Sequence, residues 1–221
     1  MAPPLKLGVL ASGRGSNLQS IIDAVEANKL DARIRVVISD NQDALALSRA
    51  EKHGIPACFI GPKAFASRED YDRELVRVLK EHQVELVALA GFMRIMTPSF
   101  VSSFPQRILN IHPALLPAFP GLRVQRAVLK YAVKFSGATV HIVDEGVDTG
   151  PIVIQAAVPV LDGDSEEELA ERILKEEHKI YPQAIQWFAQ GRVKVSGRSV
   201  VIEGVSSPEG QSLFNPPLEM K

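Results

Sequence analysis

Short apolar runs alternate with stretches of helical period through the first half of the chain, and this alternation constrains the fold most. Leu7–Ala11 (LGVLA), Ile34–Ser39 (IRVVIS), Ala57–Ile60 (ACFI), Leu86–Ala90 (LVALA) and Arg107–Ile111 (RILNI) read as strands. Runs this continuously apolar suit strands covered on both faces. Between them, Asn17 begins a helical pattern with Leu18, Ile21, Ile22 and Val25 on one face. Ala44 to His53 reads as a second helix, stopped by Gly54 and Pro56. Ser67–Asp70 (SRED) resembles a capping box with Asp in place of Glu, opening a helix through Leu75, Val78 and Leu79. Strand–helix alternation implies right-handed crossovers and a doubly wound parallel α/β sheet.

The grammar then changes. Gly137–Val143 and Ile152–Val158 are β-rich with no helix between them, which predicts an antiparallel or mixed extension of the same sheet. Ser165–Glu168 (SEEE) is a second capping box, and its helix ends near Gly191. Glu166, Glu167 and Glu168 suit the positive end of that helix dipole. Val193–Val195 and Ser199–Ile202 form a terminal hairpin pattern. No internal repeat or mid-chain linker interrupts the sequence, so residues 1–205 are expected to form one domain. Residues 206–221, rich in Ser, Pro, Gly and Asn, read as a flexible tail.

Composition excludes several classes. With 221 residues, 46% of them hydrophobic, the chain can bury a substantial core. The net charge of −1 offers no excess for nucleic acid or anionic lipid, so an anionic substrate must be held by local groups. The lone Cys58 forms no intramolecular disulfide, reads as a small buried hydrophobe, and has no Cys/His companions for a metal site. No apolar stretch reaches the roughly 18 residues of a membrane span, and Met1 to Lys6 lacks a signal-type apolar region. A cytoplasmic location is the expectation.

Two polar segments carry the chemistry. Ser12–Asn17 (SGRGSN) sits between the first strand and first helix, where glycines and helix N-terminal amides can cradle a phosphate. A dinucleotide-binding turn is an alternative, with Asp40 after the second strand, but Leu18 holds the place of its third glycine. A tight turn with a helix cap and no ligand is another. The second segment is Leu109–Pro113 (LNIHP). Asn110 and His112 are two apart on a strand and share a face, at the carboxyl end where open α/β sheets bind ligands. Leu115–Gly121 is a proline-stiffened loop fit to wall a pocket. Asp148 lies in a glycine-bounded loop between two later strands. Asn110 donating to an oxyanion, His112 donating or passing a proton, and Asp148 favouring the imidazolium would suffice for acyl transfer to a substrate amine. The alternative makes His112 a hydrogen-bonded structural residue and Asp148 a turn former. His141, between Val140 and Ile142, reads as structural, and Asp144 and Glu145 as a solvated turn.

These pieces together resemble the glycinamide ribonucleotide formyltransferase family. The resemblance rests on SGRGSNL (Ser12–Leu18), AGFMRI (Ala90–Ile95), LNIHPALLP (Leu109–Pro117), VDTGP (Val147–Pro151) and EHKIYP (Glu177–Pro182), in the family's order. It implies a Rossmann-like formyltransferase fold whose N-terminal half, about 1–105, holds phosphate and whose remainder, about 106–205, holds folate and the catalytic groups. It implies that Gly15, Ser16 and Asn17 hold the acceptor's phosphate and Glu177 its ribose or glycinamide part. Met93, Arg94, Ile95 and Met96 would line a pteridine pocket with Asn110, and Arg68 would meet the folate end. Asn110, His112 and Asp148 would be the catalytic trio. 10-Formyltetrahydrofolate would be a co-substrate, with no bound cofactor or metal, and the partners would be small molecules, with the chain a monomer or homodimer. Arg123 and Gln125 stand where the family often carries histidines, and Leu174 where a polar residue is common.

Three rival functions share parts of this pattern. A formyltetrahydrofolate deformylase uses the same trio with water as nucleophile, but adds an N-terminal domain, which is not expected here with the first strand pattern so near Met1. A methionyl-tRNA formyltransferase adds an RNA-binding domain, for which no basic patch is present. A nucleotide-binding module without chemistry would need His112 for nothing.

Overall fold

The computed structural model describes residues 3–205 together with Leu213 and Asn215. The predicted tail otherwise lies outside the described residues. In chain order the elements are β1 (Leu5–Leu10), α1 (Ser16–Glu26), β2 (Ala32–Ser39), α2 (Leu45–Lys52), β3 (Ala57–Phe59) and α3 (Arg68–Glu81). Then follow β4 (Leu86–Leu89), α4 (Pro98–Ser103), β5 (Ile108–His112), α5 (Val124–Tyr131), β6 (Phe135–Ile142), β7 (Ile152–Pro159), α6 (Glu166–Ala189), β8 (Val193–Ser196) and β9 (Ser199–Ile202).

Seven strands form one sheet in the order β3-β2-β1-β4-β5-β6-β7. β1 to β5 pair in parallel, as their apolar runs require. β6 and β7 join antiparallel, giving the mixed extension that two β-rich runs with no helix between them predict. β8 and β9 make a separate hairpin. The winding reverses between β1 and β4, so a crevice opens outside their carboxyl ends. Backbone and side-chain bonds knit this point: Ser12 N–H donates to Gly91 O at 3.1 Å, and Met93 N–H to Ser12 Oγ at 2.9 Å.

Each face of the sheet has its own core. Leu18, Ile21 and Ile22 of α1 pack with Tyr181 and Ile185 of α6 on one side; Tyr71, Leu75 and Leu79 of α3 pack with Phe100 on the other. Local chemistry fixes the helix starts. Ser165 and Glu168 complete a reciprocal capping box on α6. At α3 only half forms: Ser67 Oγ accepts from Asp70 N–H at 3.0 Å, and the shorter Asp side chain bonds the same hydroxyl instead. Two helices carry no sequence expectation. α4, six residues long, is too short for a period to stand out, and Arg123 opens α5 in left-handed backbone, φ 56°, without a side-chain cap.

Candidate active site

The loop after β1 leads into α1 through Gly15, whose backbone is left-handed at φ 68°. A Cβ there would lie 2.8 Å from Ala46 Cα, so both conformation and space require glycine. No side chain caps α1. Asn17, a capping residue by type, turns inward instead: its Nδ2 donates to Glu177 Oε2 at 2.7 Å, across 160 positions of sequence. Asn17 is 8% exposed and Glu177 7%. Burial raises the Glu177 pKa above its ordinary value against the opposing Asn17 bond. One turn on, the buried Tyr181 hydroxyl lies 3.0 Å from the carbonyl oxygens of both Leu89 and Leu109, tying α6 to the ends of β4 and β5.

Those strand ends hold the second group. Asn110 and His112 share a face of β5, and the antiparallel register sets His141 of β6 opposite Asn110 and Thr139 opposite His112. Asn110 Nδ2 lies 3.2 Å from His141 Nε2 and 3.4 Å from Asp148 Oδ1. His112 Nδ1 lies 3.3 Å from Asp148 Oδ2, and its Nε2 2.8 Å from the Phe119 carbonyl oxygen. His141 Nε2 is 3.5 Å from Asp148 Oδ1. Both ring nitrogens of His112 thus face acceptors. Burial by itself raises the Asp148 pKa. The bond from His141, the Gly121 N–H at 2.8 Å and the nearby histidine charges outweigh it, so the net direction is downward.

The loop that presents Asp148 is tightly specified. Asp148 is itself left-handed, φ 55°. Asp144 Oδ1 accepts from Gly146 N–H and the Thr149 hydroxyl, at 3.1 and 2.7 Å, closing the turn. A Cβ on Gly150 would sit 1.7 Å from Ile142 O. Asp144 therefore shapes the loop, beyond the solvated turn expected of it.

A cleft of about 460 Å³ opens between these parts, lined by Met93 to Met96, Asn110, His112, His141 and Asp148, with Arg123 and Gln125 at its α5 side. Met93 and Ile95 are 65% and 57% exposed, so the cleft offers an apolar wall to a ligand. Beside that wall, Arg68 Nη2 donates to Ile95 O at 2.7 Å. Arg94 places its guanidinium 5.2 Å from the centre of the Tyr71 ring. Among the described residues no group of three or more His, Cys, Asp or Glu is placed to hold a metal. Cys58 is half-buried and burial raises its thiol pKa, which suits an unreactive packing residue.

Residues 5–185 match the family described as formyl transferase. The chain belongs to the formyl transferase family. It is 45% identical over 204 residues to the phosphoribosylglycinamide formyltransferase of Escherichia coli (strain K12), covering 92% of this chain and 96% of that one. Among solved structures it resembles glycinamide ribonucleotide transformylase 1 from Symbiobacterium toebii, with a TM-score of 0.90, 50% identity, and 91% and 95% of the two chains covered. A formyltetrahydrofolate deformylase from Pseudomonas syringae pv. tomato str. DC3000 is similar at 29% identity and a TM-score of 0.84, covering 91% of this chain and 66% of that one.

Within this formyl transferase, the sequence-predicted residues fall into two adjoining groups. Asn110, His112 and Asp148 come together in the cleft with Met93 to Met96. Gly15, Ser16, Asn17 and Glu177 gather around the start of α1, bridged to the cleft by the Ser12–Met93 bond. His141, read as structural from its apolar neighbours, is buried, and its ring faces both Asn110 and Asp148. Alternation on a strand that pairs with β5 was the available signal.

Proposed function

We propose that this chain transfers the formyl group of 10-formyltetrahydrofolate to the amine of glycinamide ribonucleotide, the formyl-transfer step of purine biosynthesis that its relatives are named for. The observation that carries the reading is the convergence of Asn110, His112 and Asp148 at one end of an apolar-walled cleft that adjoins a glycine-turned helix start. In this reading the helix start at Gly15, Ser16 and Asn17 takes the acceptor's phosphate. Glu177 takes its ribose or glycinamide part. The segment Met93–Met96, braced by Arg68, takes the folate.

The acceptor's neutral amine attacks the formyl carbon; a C–N bond forms and the carbonyl pair moves onto oxygen. Asn110 and His112 donate to that oxyanion, sharing with it the N–H groups that in the free chain face Asp148 and Phe119 O. One such donor is worth about 10²–10³ in rate. The intermediate collapses, the bond to the folate nitrogen breaks, and that nitrogen takes the proton the amine releases, relayed near Asp148. Asp148, held as carboxylate, faces His112 Nδ1 at 3.3 Å and orients its ring. His141 orients Asn110 and Asp148 from the next strand.

Hydrolysis of the same donor is the second reading, because a deformylase shares the fold. The higher identity to formyltransferases and the Asn17–Glu177 arrangement favour transfer. The test is turnover of 10-formyltetrahydrofolate with and without glycinamide ribonucleotide, for wild type and His112→Ala. Acceptor-dependent turnover that collapses in the variant supports transfer. Turnover without acceptor moves the function to hydrolysis, and none in either case leaves a binding module.

A further inference from the structure

The register of the antiparallel strands sets His112, Thr139 and Gln155 side by side in one row across β5, β6 and β7. The segment 113–121 folds back over this row and is stitched to it. The Thr139 hydroxyl, fully buried, donates to Ala114 O at 2.6 Å and accepts from Leu116 N–H at 3.1 Å. Gln155 Nε2 donates to that same hydroxyl and to Leu116 O, each at 2.9 Å. The hydroxyl's one donor and two acceptor places are thereby filled. The far end of the segment returns to the site, where Phe119 O faces His112 Nε2 at 2.8 Å and Gly121 N–H donates to Asp148 Oδ2 at 2.8 Å. A backbone carbonyl can sit only where its segment is held. The carbonyl that faces His112 Nε2 thus belongs to the segment stitched at Leu116.

We propose that Gln155 is a positioning residue for His112, acting through Thr139 and the segment 113–121. It touches no reacting atom. This inference rests on the formyl-transfer reading for its kinetic consequence but not for its geometric one. Small displacements remote from the chemistry can cost up to about 10²-fold in rate.

The test compares Gln155→Leu, which removes both amide bonds, in wild-type and His112→Ala backgrounds. In the wild-type background kcat is expected to fall about 10- to 100-fold, with KM for both substrates within about twofold. In the His112→Ala background the same change is expected to cost less than about twofold, because residues acting as a unit are non-additive. Thr139→Ser, which keeps the hydroxyl, retains kcat, and Thr139→Val loses it as Gln155→Leu does. Nitrogen-15 spectra of the histidine rings, which need no substrate, should show the His112 Nε2 resonance moving in Gln155→Leu. Equal fractional losses in both backgrounds, or an unmoved Nε2 resonance, overturn the proposal. A wild-type chain without formyl transfer whose Nε2 resonance still moves overturns the formyl-transfer reading and supports the positioning geometry.

Discussion

Asp148 and Glu177 are carboxyls of one site pushed in opposite directions. For Asp148 burial raises the pKa, but the His141 and Gly121 bonds and the histidine charges carry it below the ordinary 3.8. The stability it contributes is fully present above that ordinary value and is lost as pH falls through the lower folded value. For Glu177 burial dominates, and the pKa lies above the ordinary 4.5. The stability of its neutral form is present below 4.5 and is lost as pH rises through the folded value. Glu177→Gln keeps an acceptor for Asn17 and removes the cost of a buried charge. Its thermal midpoint at pH 7 should lie above that of wild type. That gap should close near pH 4, and KM for the acceptor should rise. Scanning calorimetry across pH checks the first part; an unchanged or lowered midpoint at pH 7 would count against it. Asn110→Ala should lower kcat by about 10²–10³, as loss of one oxyanion donor does, and steady-state kinetics decide it.

At the scale of elements, the loop from Asp144 to Gly150 is the part most sensitive to a single methyl group. Gly150→Ala places a Cβ against Ile142 O and opposes the Ile142 N–H bond to Pro151 O at 2.9 Å. Destabilisation of about 1–3 kcal/mol is expected from such overpacking. Urea unfolding measures it, and kcat should fall as Asp148 is displaced. The parallel half of the sheet was legible because strands buried on both faces are continuously apolar, and Asn110 and His112 were legible from strand period alone. His141 was not, because its partner Asn110 lies 31 positions away and only the pairing of β5 with β6 joins them. The Asn17–Glu177 contact spans 160 positions and depends on α6 crossing to α1. Its existence follows from the fold rather than from any local pattern. α5 escaped for a local reason, since its left-handed start at Arg123 carries none of the usual capping residues.

At the scale of the molecule, α6 joins what the sequence divides. It packs on α1, offers Glu177 to Asn17, anchors Tyr181 at the ends of β4 and β5, and bonds Asp31 through Gln186. One sheet carries both halves. We therefore propose that residues 1–205 unfold as one cooperative domain, with far-ultraviolet circular dichroism and Trp187 fluorescence giving coincident transitions; separate midpoints would split it. No helix among the described residues is long and apolar enough to cross a membrane. The central claim is that the formyl carbon ends on the acceptor's nitrogen. Donor labelled with carbon-13 in its formyl group, mixed with the chain and glycinamide ribonucleotide, follows that carbon directly by nuclear magnetic resonance. Formyl transfer gives a formamide signal on the acceptor, absent with His112→Ala. A signal of free formate in its place would contradict it.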